Sequence, residues 1–189
     1  MIDKFHYEQQ DDSVEHHHLT PLIDEASIKI AVEKLAKQIV SEYADRPLTV
    51  LGVLTGSIIL LSDLIRKLDI PVRVGLIQAS SYRGKTTTSG ELKINSEMLI
   101  GIKGRDILLV DDIFDTGKTL QGVMQHIQKQ SPFSVRSAVL LWKEGQSQVD
   151  IEPDYHCFHI PNKFVVGYGL DFNDEYRHLP YIAELNEGK

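Results

Sequence analysis

Residues 107–120 read ILLVDDIFDTGKTL, and this stretch decides the fold. The four apolar residues at 107–110 predict a buried strand, and the apolar spacing of residues 118–130 predicts a helix soon after it. A strand followed closely by a helix is the repeating unit of α/β domains with a parallel central sheet. Ligands of such sheets bind beyond the carboxyl ends of the strands, so the residues after Val110 are the first candidates for a site.

The flanking segments repeat this alternation of buried strands and amphipathic helices. The period or apolar content of each segment predicts a helix from Ser27 that ends before Pro47, strands at 48–54, 72–79 and 135–142, and a helix at 56–68. Short links join most of these elements. The fold class that we predict is therefore α/β, with a central parallel sheet flanked by helices.

The composition limits the possible functions. The 189 residues, 42% of them hydrophobic, suffice for a single domain over residues 1–189. The net charge of −7 would repel a phosphate polymer, and no basic run offsets it, so we expect no nucleic-acid partner. The single cysteine, Cys157, excludes an intramolecular disulfide and is expected to be a core residue rather than a nucleophile. Because neither a secretory signal nor a membrane-spanning run is visible, we expect a soluble cytoplasmic protein with no membrane partner.

Two polar segments interrupt the pattern. Residues 1–26 are acidic and lack a sustained period, which predicts an N-terminal surface arm. Its histidines 16–18 could bind a metal ion, but sequence neighbours rarely converge on one ion, so a solvated turn is favoured. Residues 80–92, SSYRGKTTTSGEL, have almost nothing to bury and predict a long mobile loop, which in a compact domain is more often functional than idle.

The residues after Val110 combine carboxylates with a phosphate-binding pattern. Asp111 and Asp112 are costly to desolvate side by side, so we expect ligand hydroxyls or a divalent metal there. Residues 116–119, TGKT, would present N–H groups and hydroxyls at a helix N-terminus, which suits a phosphate. A simple helix cap by Asp115 or its neighbour would not explain the two adjacent acids. A nucleotide-hydrolase P-loop would need glycine at position 112.

Residues 107–120 resemble the phosphoribosyl pyrophosphate signature of the type I phosphoribosyltransferases. Four further segments resemble the hypoxanthine-guanine branch of that family: GVLTG at 52–56, SSY at 80–82, LWK at 141–143 and IPNKFVVGYGLD at 160–171. The resemblance covers about residues 20 to 185. It implies a small hood built from the terminal segments, with residues 156–189 forming the hood and base-binding part, and a lid at residues 80–92.

The resemblance also implies a reaction and its residues. Hypoxanthine or guanine would react with phosphoribosyl pyrophosphate to give the mononucleotide and pyrophosphate, with Mg²⁺ as cofactor, in a homodimer or homotetramer. Phosphoribosyl pyrophosphate would contact Thr55, Gly56, Ser81, Tyr82, Asp111, Asp112, Asp115, Thr116, Gly117, Lys118, Thr119 and Arg177. The 6-oxopurine would contact Lys143, Phe164, Val165 and Asp171, and the metal Asp111, Asp112 and Asp171. Asp115 would be the catalytic residue, managing the proton at purine N7.

The chain departs from the family pattern at two positions, with Thr55 where many members have lysine and Asp111 where glutamate is common. The resemblance also implies a cis peptide bond in the loop that holds Thr55. Without the family, Lys143 would be a surface lysine, Phe164 a core residue, and Asp171 and Arg177 members of surface ion pairs. The rival functions are a regulatory nucleotide- and RNA-binding protein on the same fold, and an adenine or pyrimidine phosphoribosyltransferase.

Overall fold

The computed structural model of the protein describes residues 18–44, 46–81 and 92–186, without the side chains of Ser80 and Ser81. The elements in this part of the chain are β1 (His18–Ile23), α1 (Glu25–Tyr43), β2 (Leu48–Leu54), α2 (Ile58–Ile65), β3 (Val72–Ser81), β4 (Leu92–Asn95), β5 (Asp106–Phe114), α3 (Lys118–Gln128), β6 (Ser134–Lys143), β7 (Tyr155–Ile160), β8 (Val165–Val166) and β9 (Ile182–Asn186). None of the helices in these ranges is both long and apolar enough to cross a bilayer.

The central sheet has six strands in the order β4-β3-β2-β5-β6-β7. Its strands run parallel except for β4, which pairs antiparallel with β3. The apolar residues of β2 and β5 are almost fully buried because helices cover both faces of the sheet. Helices α1 and α2 pack on one face and α3 on the other, so a hydrophobic core lies on each side.

A second, smaller sheet is formed by strands from the two ends of the described chain. It has the order β1-β9-β8, and both of its pairings are antiparallel. Because β1 comes from the N-terminal part and the other two strands from the C-terminal part, this sheet is the hood. The predicted fold class is confirmed: a central, mostly parallel sheet flanked by helices, with a small hood from the terminal segments. Strand β7 lies within the predicted hood segment 156–189 but belongs to the central sheet.

Several element limits differ from the prediction. Helix α1 begins at Glu25 rather than Ser27, because Asp24 is the N-cap and its carboxylate accepts a 2.7 Å hydrogen bond from the Ser27 N–H. Helices α2 and α3 end at Ile65 and Gln128, earlier than predicted. Strand β5 continues to Phe114, because its pairing with β6 extends beyond the apolar run. Asp111 and Asp112 therefore lie inside the strand and not after it.

The two polar segments lie partly outside the described residues. Residues 1–17, including His16 and His17, are outside, whereas His18–Ile23 of the predicted surface arm forms β1, a mostly exposed strand. The pairing of β1 with β9 supplies hydrogen bonds that its polar sequence did not reveal. Residues 82–91 are also outside, while Ser80, Ser81 and Leu92 at the ends of the predicted loop are paired strand residues. Backbone pairing does not require apolar side chains, so composition alone placed those limits too wide.

Candidate active site

A cavity of about 260 Å³ opens at the carboxyl ends of β2 and β5, where the hood meets the central sheet. This is the edge at which a parallel sheet is expected to bind ligands. Ten of the predicted site residues line the cavity: Thr55, Gly56, Asp111, Asp112, Asp115, Thr116, Gly117, Thr119, Asp171 and Arg177. The structure therefore brings the predicted residues of four separate segments together around one space.

Asp111 and Asp112 lie near the carboxyl end of β5, and each carboxylate accepts a hydrogen bond from the backbone N–H of the next residue. The Asp111 side chain is 6% exposed and accepts a 3.0 Å hydrogen bond from the Asp112 N–H, while Asp112 accepts one of 2.9 Å from the Ile113 N–H. Burial raises the pKa of Asp111 well above its usual range, and the charge of Asp112 adds to this effect. Burial also raises the pKa of Asp112. Two desolvated acids at this position are stabilised when hydroxyl donors or a cation approach them.

The turn after β2 lies against Asp112. The Leu54–Thr55 peptide bond in this turn is cis, as the resemblance implies. Gly56 approaches Asp112 so closely that a Cβ atom at position 56 would overlap the Asp112 carboxylate. Glycine at this position is therefore required by the space that Asp112 occupies. Thr55 is exposed and lines the cavity without bringing a positive charge.

The loop between β5 and α3 ends in a glycine that starts the helix. Gly117 is the N-cap of α3 and has a φ of 79°, in the left-handed region that favours glycine. No side chain caps this helix, so the alternative in which Asp115 or Thr116 is only a cap is wrong. The first turn of α3 points its N–H groups towards the cavity end of the sheet, which suits an anion. Lys118 is exposed and does not line the cavity.

Asp115 and Lys143 form an ion pair across the ends of β5 and β6. Their Oδ2 and Nζ atoms are 3.0 Å apart, with the Asp115 side chain 44% exposed and the Lys143 side chain 11% exposed. Lys143 is therefore a mostly buried, paired cation, and the surface-lysine alternative is wrong. The in-register pairing of Ile113 with Leu141 and of Phe114 with Trp142 carries both residues to the same place. Asp115, a hydrogen-bond acceptor, lines the cavity, whereas Lys143 does not line it and is connected to it through this ion pair.

Arg177 and Asp171 come from the hood and close the other side of the cavity. The Arg177 Nη2 atom lies 2.9 Å from Asp171 and 3.2 Å from Asp174, and its Nη1 donates to the Gly169 carbonyl at 2.8 Å. The ion-pair alternative for Arg177 and Asp171 is thus correct as far as it goes. It does not exclude a site role, because both side chains also line the cavity and remain partly exposed.

Phe164 projects into solvent beside strand β8. Its side chain is 47% exposed and packs edge to face on Phe172, with the ring centroids 5.7 Å apart. The alternative in which Phe164 is a core residue is therefore wrong. Val165 is buried and pairs with Glu184 of β9, which fixes the backbone next to the ring. Such an open aromatic face is available for stacking on a planar ligand.

Two predicted residues lie at or beyond the limit of the described residues, and one contact was not predicted. Tyr82 is outside the described residues, and only the backbone of Ser81 is described, as the end of β3. Sequence reasoning did not single out Tyr168, which has a φ of 49° and donates a 2.6 Å hydrogen bond to Asp63 of α2. A tyrosine between two glycines in the segment VGYGL was the available signal, because such a run suits positive φ.

The predicted metal ligands do not form a complete cage. Among the described residues, no group of three or more histidine, cysteine, aspartate or glutamate side chains is arranged to hold one ion. Mg²⁺ is usually bound in proteins through one or two carboxylates together with substrate phosphates and water. Asp111, Asp112 and Asp171 supply carboxylates of that kind around the cavity. The donor set therefore fits a Mg²⁺ ion that arrives with an anionic substrate.

Comparison with known proteins agrees with the geometry. A family model described as a phosphoribosyl transferase domain matches residues 20–173. The chain belongs to the phosphoribosyltransferase family. The hypoxanthine-guanine phosphoribosyltransferase of Streptococcus pneumoniae is 41% identical to this phosphoribosyltransferase over 166 residues, which cover 88% of this chain and 92% of the relative. The enzyme of the same name from Dictyostelium discoideum is 38% identical over 170 residues, which cover 88% and 94% of the two chains.

Solved structures give the same result. The crystal structure of a hypoxanthine phosphoribosyltransferase from Staphylococcus aureus matches this phosphoribosyltransferase with a TM-score of 0.84 at 34% identity, covering 94% of this chain and 97% of that one. The resemblance drawn from the sequence motifs is thereby confirmed, and with it the assignment of the chain as an enzyme of the transferase class. The P-loop hydrolase alternative is excluded by the same match.

Proposed function

We propose that this phosphoribosyltransferase joins hypoxanthine or guanine to the ribose 5-phosphate of phosphoribosyl pyrophosphate, in purine salvage. The observation that carries the proposal is the Lys143–Asp115 pair at the rim of the carboxylate-lined cavity, with Nζ and Oδ2 3.0 Å apart. The names of the relatives support the same substrates. In the reaction, the bond from the anomeric carbon to the pyrophosphate oxygen breaks, and a bond from that carbon to purine N9 forms.

The 5-phosphate binds at the start of α3. The loop residues Asp115 to Thr119 would surround it with backbone N–H groups and hydroxyls at the positive end of the helix dipole. Asp111 and Asp112 accept hydrogen bonds from the ribose hydroxyls. Their negative charge then lies near the anomeric carbon, where positive charge develops as pyrophosphate leaves. An electrostatic contribution of this kind acts on the transition state rather than on the bound substrate.

The Asp115–Lys143 pair recognises the purine. The Lys143 ammonium donates to the exocyclic oxygen of a 6-oxopurine, whereas the exocyclic amino group of adenine would meet it donor to donor. Asp115 accepts or holds the proton at N7 while the N9 bond forms. The exposed ring of Phe164 stacks on the base, and the backbone at Val165 contacts its edge. Lys143 therefore discriminates against adenine, and the ranking of hypoxanthine and guanine depends on smaller contacts near Asp171.

Pyrophosphate leaves between the Thr55–Gly56 turn and Arg177. The turn offers backbone N–H groups at the start of α2, and Arg177 offers a positive charge that lines the cavity. Mg²⁺, held by carboxylates from among Asp111, Asp112 and Asp171, would neutralise charge on the leaving group. Ser81 and Tyr82, in the predicted lid, would close over the reacting centre and exclude water. We further propose that the enzyme acts in the cytoplasm as a homodimer or homotetramer.

A steady-state assay with phosphoribosyl pyrophosphate and Mg²⁺ tests the proposal against hypoxanthine, guanine, xanthine, adenine and uracil. We expect turnover of 6-oxopurines and little of adenine or uracil. Asp115→Asn should lower kcat by about 10²- to 10⁴-fold, the range that a general base contributes. The matched control is Asp69→Asn, at an exposed position that does not line the cavity, which should leave kcat unchanged. Nucleotide binding without consumption of any base would contradict the proposal.

A further inference from the structure

The hood and the turn after β2 touch through two glycines. Gly169 has a φ of 102°, and a Cβ atom at this position would overlap the carbonyl oxygen of Gly56. The backbones of the two segments are thus in direct contact, with no side chain between them. On its other side, Gly56 lies against the Asp112 carboxylate. A shift of the hood loop that contains Gly169 would therefore move the turn at Gly56. The turn would then lie at a different distance from Asp112.

Arg177 is attached to the same hood loop. Its Nη1 atom donates to the Gly169 carbonyl at 2.8 Å, and the Gly169 N–H donates to the Arg177 carbonyl at 3.0 Å. The position of Gly169 therefore fixes the arginine as well as the turn. Arg177 and the turn at Gly56 are the two groups assigned to pyrophosphate in the proposed function. Both are therefore positioned by their contacts with Gly169.

A hydrogen bond connects this loop to α2, the helix that follows the turn. The Tyr168 hydroxyl donates to Asp63 Oδ2 at 2.6 Å, and Tyr168 is 6% exposed. Asp63 belongs to α2, which begins two residues after Gly56 at Ile58. Burial, followed by the Asp63 hydrogen bond, raises the pKa of Tyr168 far above its usual range, so the hydroxyl keeps its proton and remains a donor.

We propose that Tyr168 and Asp63 are positioning residues for pyrophosphate, an inference that rests on the proposed function. Their hydrogen bond holds the hood loop at Gly169 against the turn at Gly56, and so sets the spacing between the turn backbone and Arg177. Thr55 makes this spacing matter more in this chain, because it brings no cation to the turn. Binding of the leaving group then depends on Arg177 and on backbone N–H groups of the turn, whose hydrogen bonds weaken steeply when the groups are misplaced.

The test is Tyr168→Phe, which keeps the ring and its packing but removes the donor. We expect the KM for phosphoribosyl pyrophosphate to rise about tenfold, the equivalent of one hydrogen bond to a charged group. The KM for hypoxanthine should stay within about twofold, because the Lys143–Asp115 pair is held by β5 and β6 of the central sheet and not by the hood loop. Affinity for pyrophosphate in the presence of Mg²⁺, measured by titration calorimetry, should fall by the same factor as KM rises.

Two variants separate positioning from stability. Tyr155→Phe removes the hydroxyl of another partly buried tyrosine that donates to a carboxylate, Glu42, away from the cavity. It should match Tyr168→Phe in its loss of thermal stability but leave both KM values unchanged. Asp63→Asn keeps an oxygen acceptor for Tyr168 and should restore most of the affinity that Asp63→Ala loses.

Two results would overturn the proposal. The first is an unchanged KM and pyrophosphate affinity in Tyr168→Phe, and the second is an equal effect in Tyr155→Phe. Failure of the proposed function would look different, since the unsubstituted chain itself would then consume no base. In that case the calorimetric comparison of the unsubstituted chain with Tyr168→Phe still decides the positioning role.

Discussion

Lys143 is the residue at which recognition of the base can be tested most directly. Its ammonium is mostly buried and lies 3.0 Å from Asp115, so the two charges compensate each other. Lys143→Met keeps the length of the side chain and removes its charge and donors. We expect kcat/KM for hypoxanthine to fall about 10- to 100-fold, the value of a hydrogen bond to a charged group. Steady-state kinetics at saturating phosphoribosyl pyrophosphate would measure it.

The matched control for this variant is Lys67→Met. Lys67 also forms an ion pair, with its Nζ atom 3.1 Å from Glu33 of α1, but it lies outside the catalytic cavity. Loss of a partly exposed pair of this kind changes stability by less than about 1 kcal/mol and should not change kcat/KM. If Lys143→Met and Lys67→Met have the same kcat/KM, Lys143 does not recognise the base and only fixes the position of Asp115.

At the scale of single residues, the sequence predicts which residues belong to the site better than it predicts which of them contact one another. The adjacent acids Asp111 and Asp112 stand out in the sequence, because nothing apolar explains them. The pairing of Asp115 with Lys143 does not, because the two residues are 28 positions apart and meet only through the register of β5 on β6. The exposure of Phe164 could not be predicted either, since an aromatic residue beside two valines is equally typical of a core.

At the scale of elements, the last residue of helix α1 carries a buried hydroxyl group that has no hydrogen-bond partner among the described residues. Tyr43 is 1% exposed, and its hydroxyl group finds no hydrogen-bond acceptor there. Its ring also lies under Arg46, whose guanidinium carbon is 4.9 Å from the ring centroid. Tyr43→Phe keeps this contact and removes the unpaired hydroxyl, so we expect the free energy of unfolding to rise by about 1 kcal/mol. Denaturant unfolding at pH 7 would measure the change.

The pH dependence gives a second check on Tyr43. Burial raises the pKa of Tyr43 to about 12, above its ordinary value of 10.0. The unfolded chain therefore releases this proton first, and stability is lost as the pH rises from 10.0 towards about 12. The gap in stability between Tyr43→Phe and the unsubstituted chain should widen over that window. A gap that stays constant would show that the hydroxyl is hydrated in solution.

The elements that the sequence predicts well are those whose burial is visible locally. Strand β2 was predicted with its observed limits because both of its faces are covered and its residues are uniformly apolar. Strand β1 was missed, since it is mostly exposed, contains Pro21 and is held by β9, which lies more than 150 residues away in the chain. Pairing at such a separation is set by the packing of the hood and leaves no periodic signal in either strand.

At the scale of the whole molecule, the site lies where two separately built sheets meet. The central sheet contributes Asp111, Asp112 and Asp115, while the hood contributes Asp171 and Arg177. The fold class could be predicted because strand and helix alternate along the chain. The distance across the cavity could not, because it depends on how the hood loop at Tyr168 and Gly169 packs against α2 and the turn after β2. A ligand that contacts both sides therefore links the two sheets.

This arrangement predicts a metal-dependent stabilisation. Among the described residues, four carboxylates and one cation, Arg177, line the cavity, so a strongly anionic substrate should bind only together with a divalent cation. At about 100 times its Kd, phosphoribosyl pyrophosphate with Mg²⁺ should add about 2.7 kcal/mol to the free energy of unfolding. For a chain of this size that corresponds to a rise in Tm of about 5 to 10 °C.

Scanning calorimetry with the substrate in excess EDTA should show almost no shift in Tm. Ribose 5-phosphate with Mg²⁺ should show a smaller shift than the full substrate, because it does not reach Arg177 and the turn. An equal shift with EDTA would mean that the carboxylates are protonated or compensated by the protein itself, and the assignment of Asp111, Asp112 and Asp171 to the metal would be wrong.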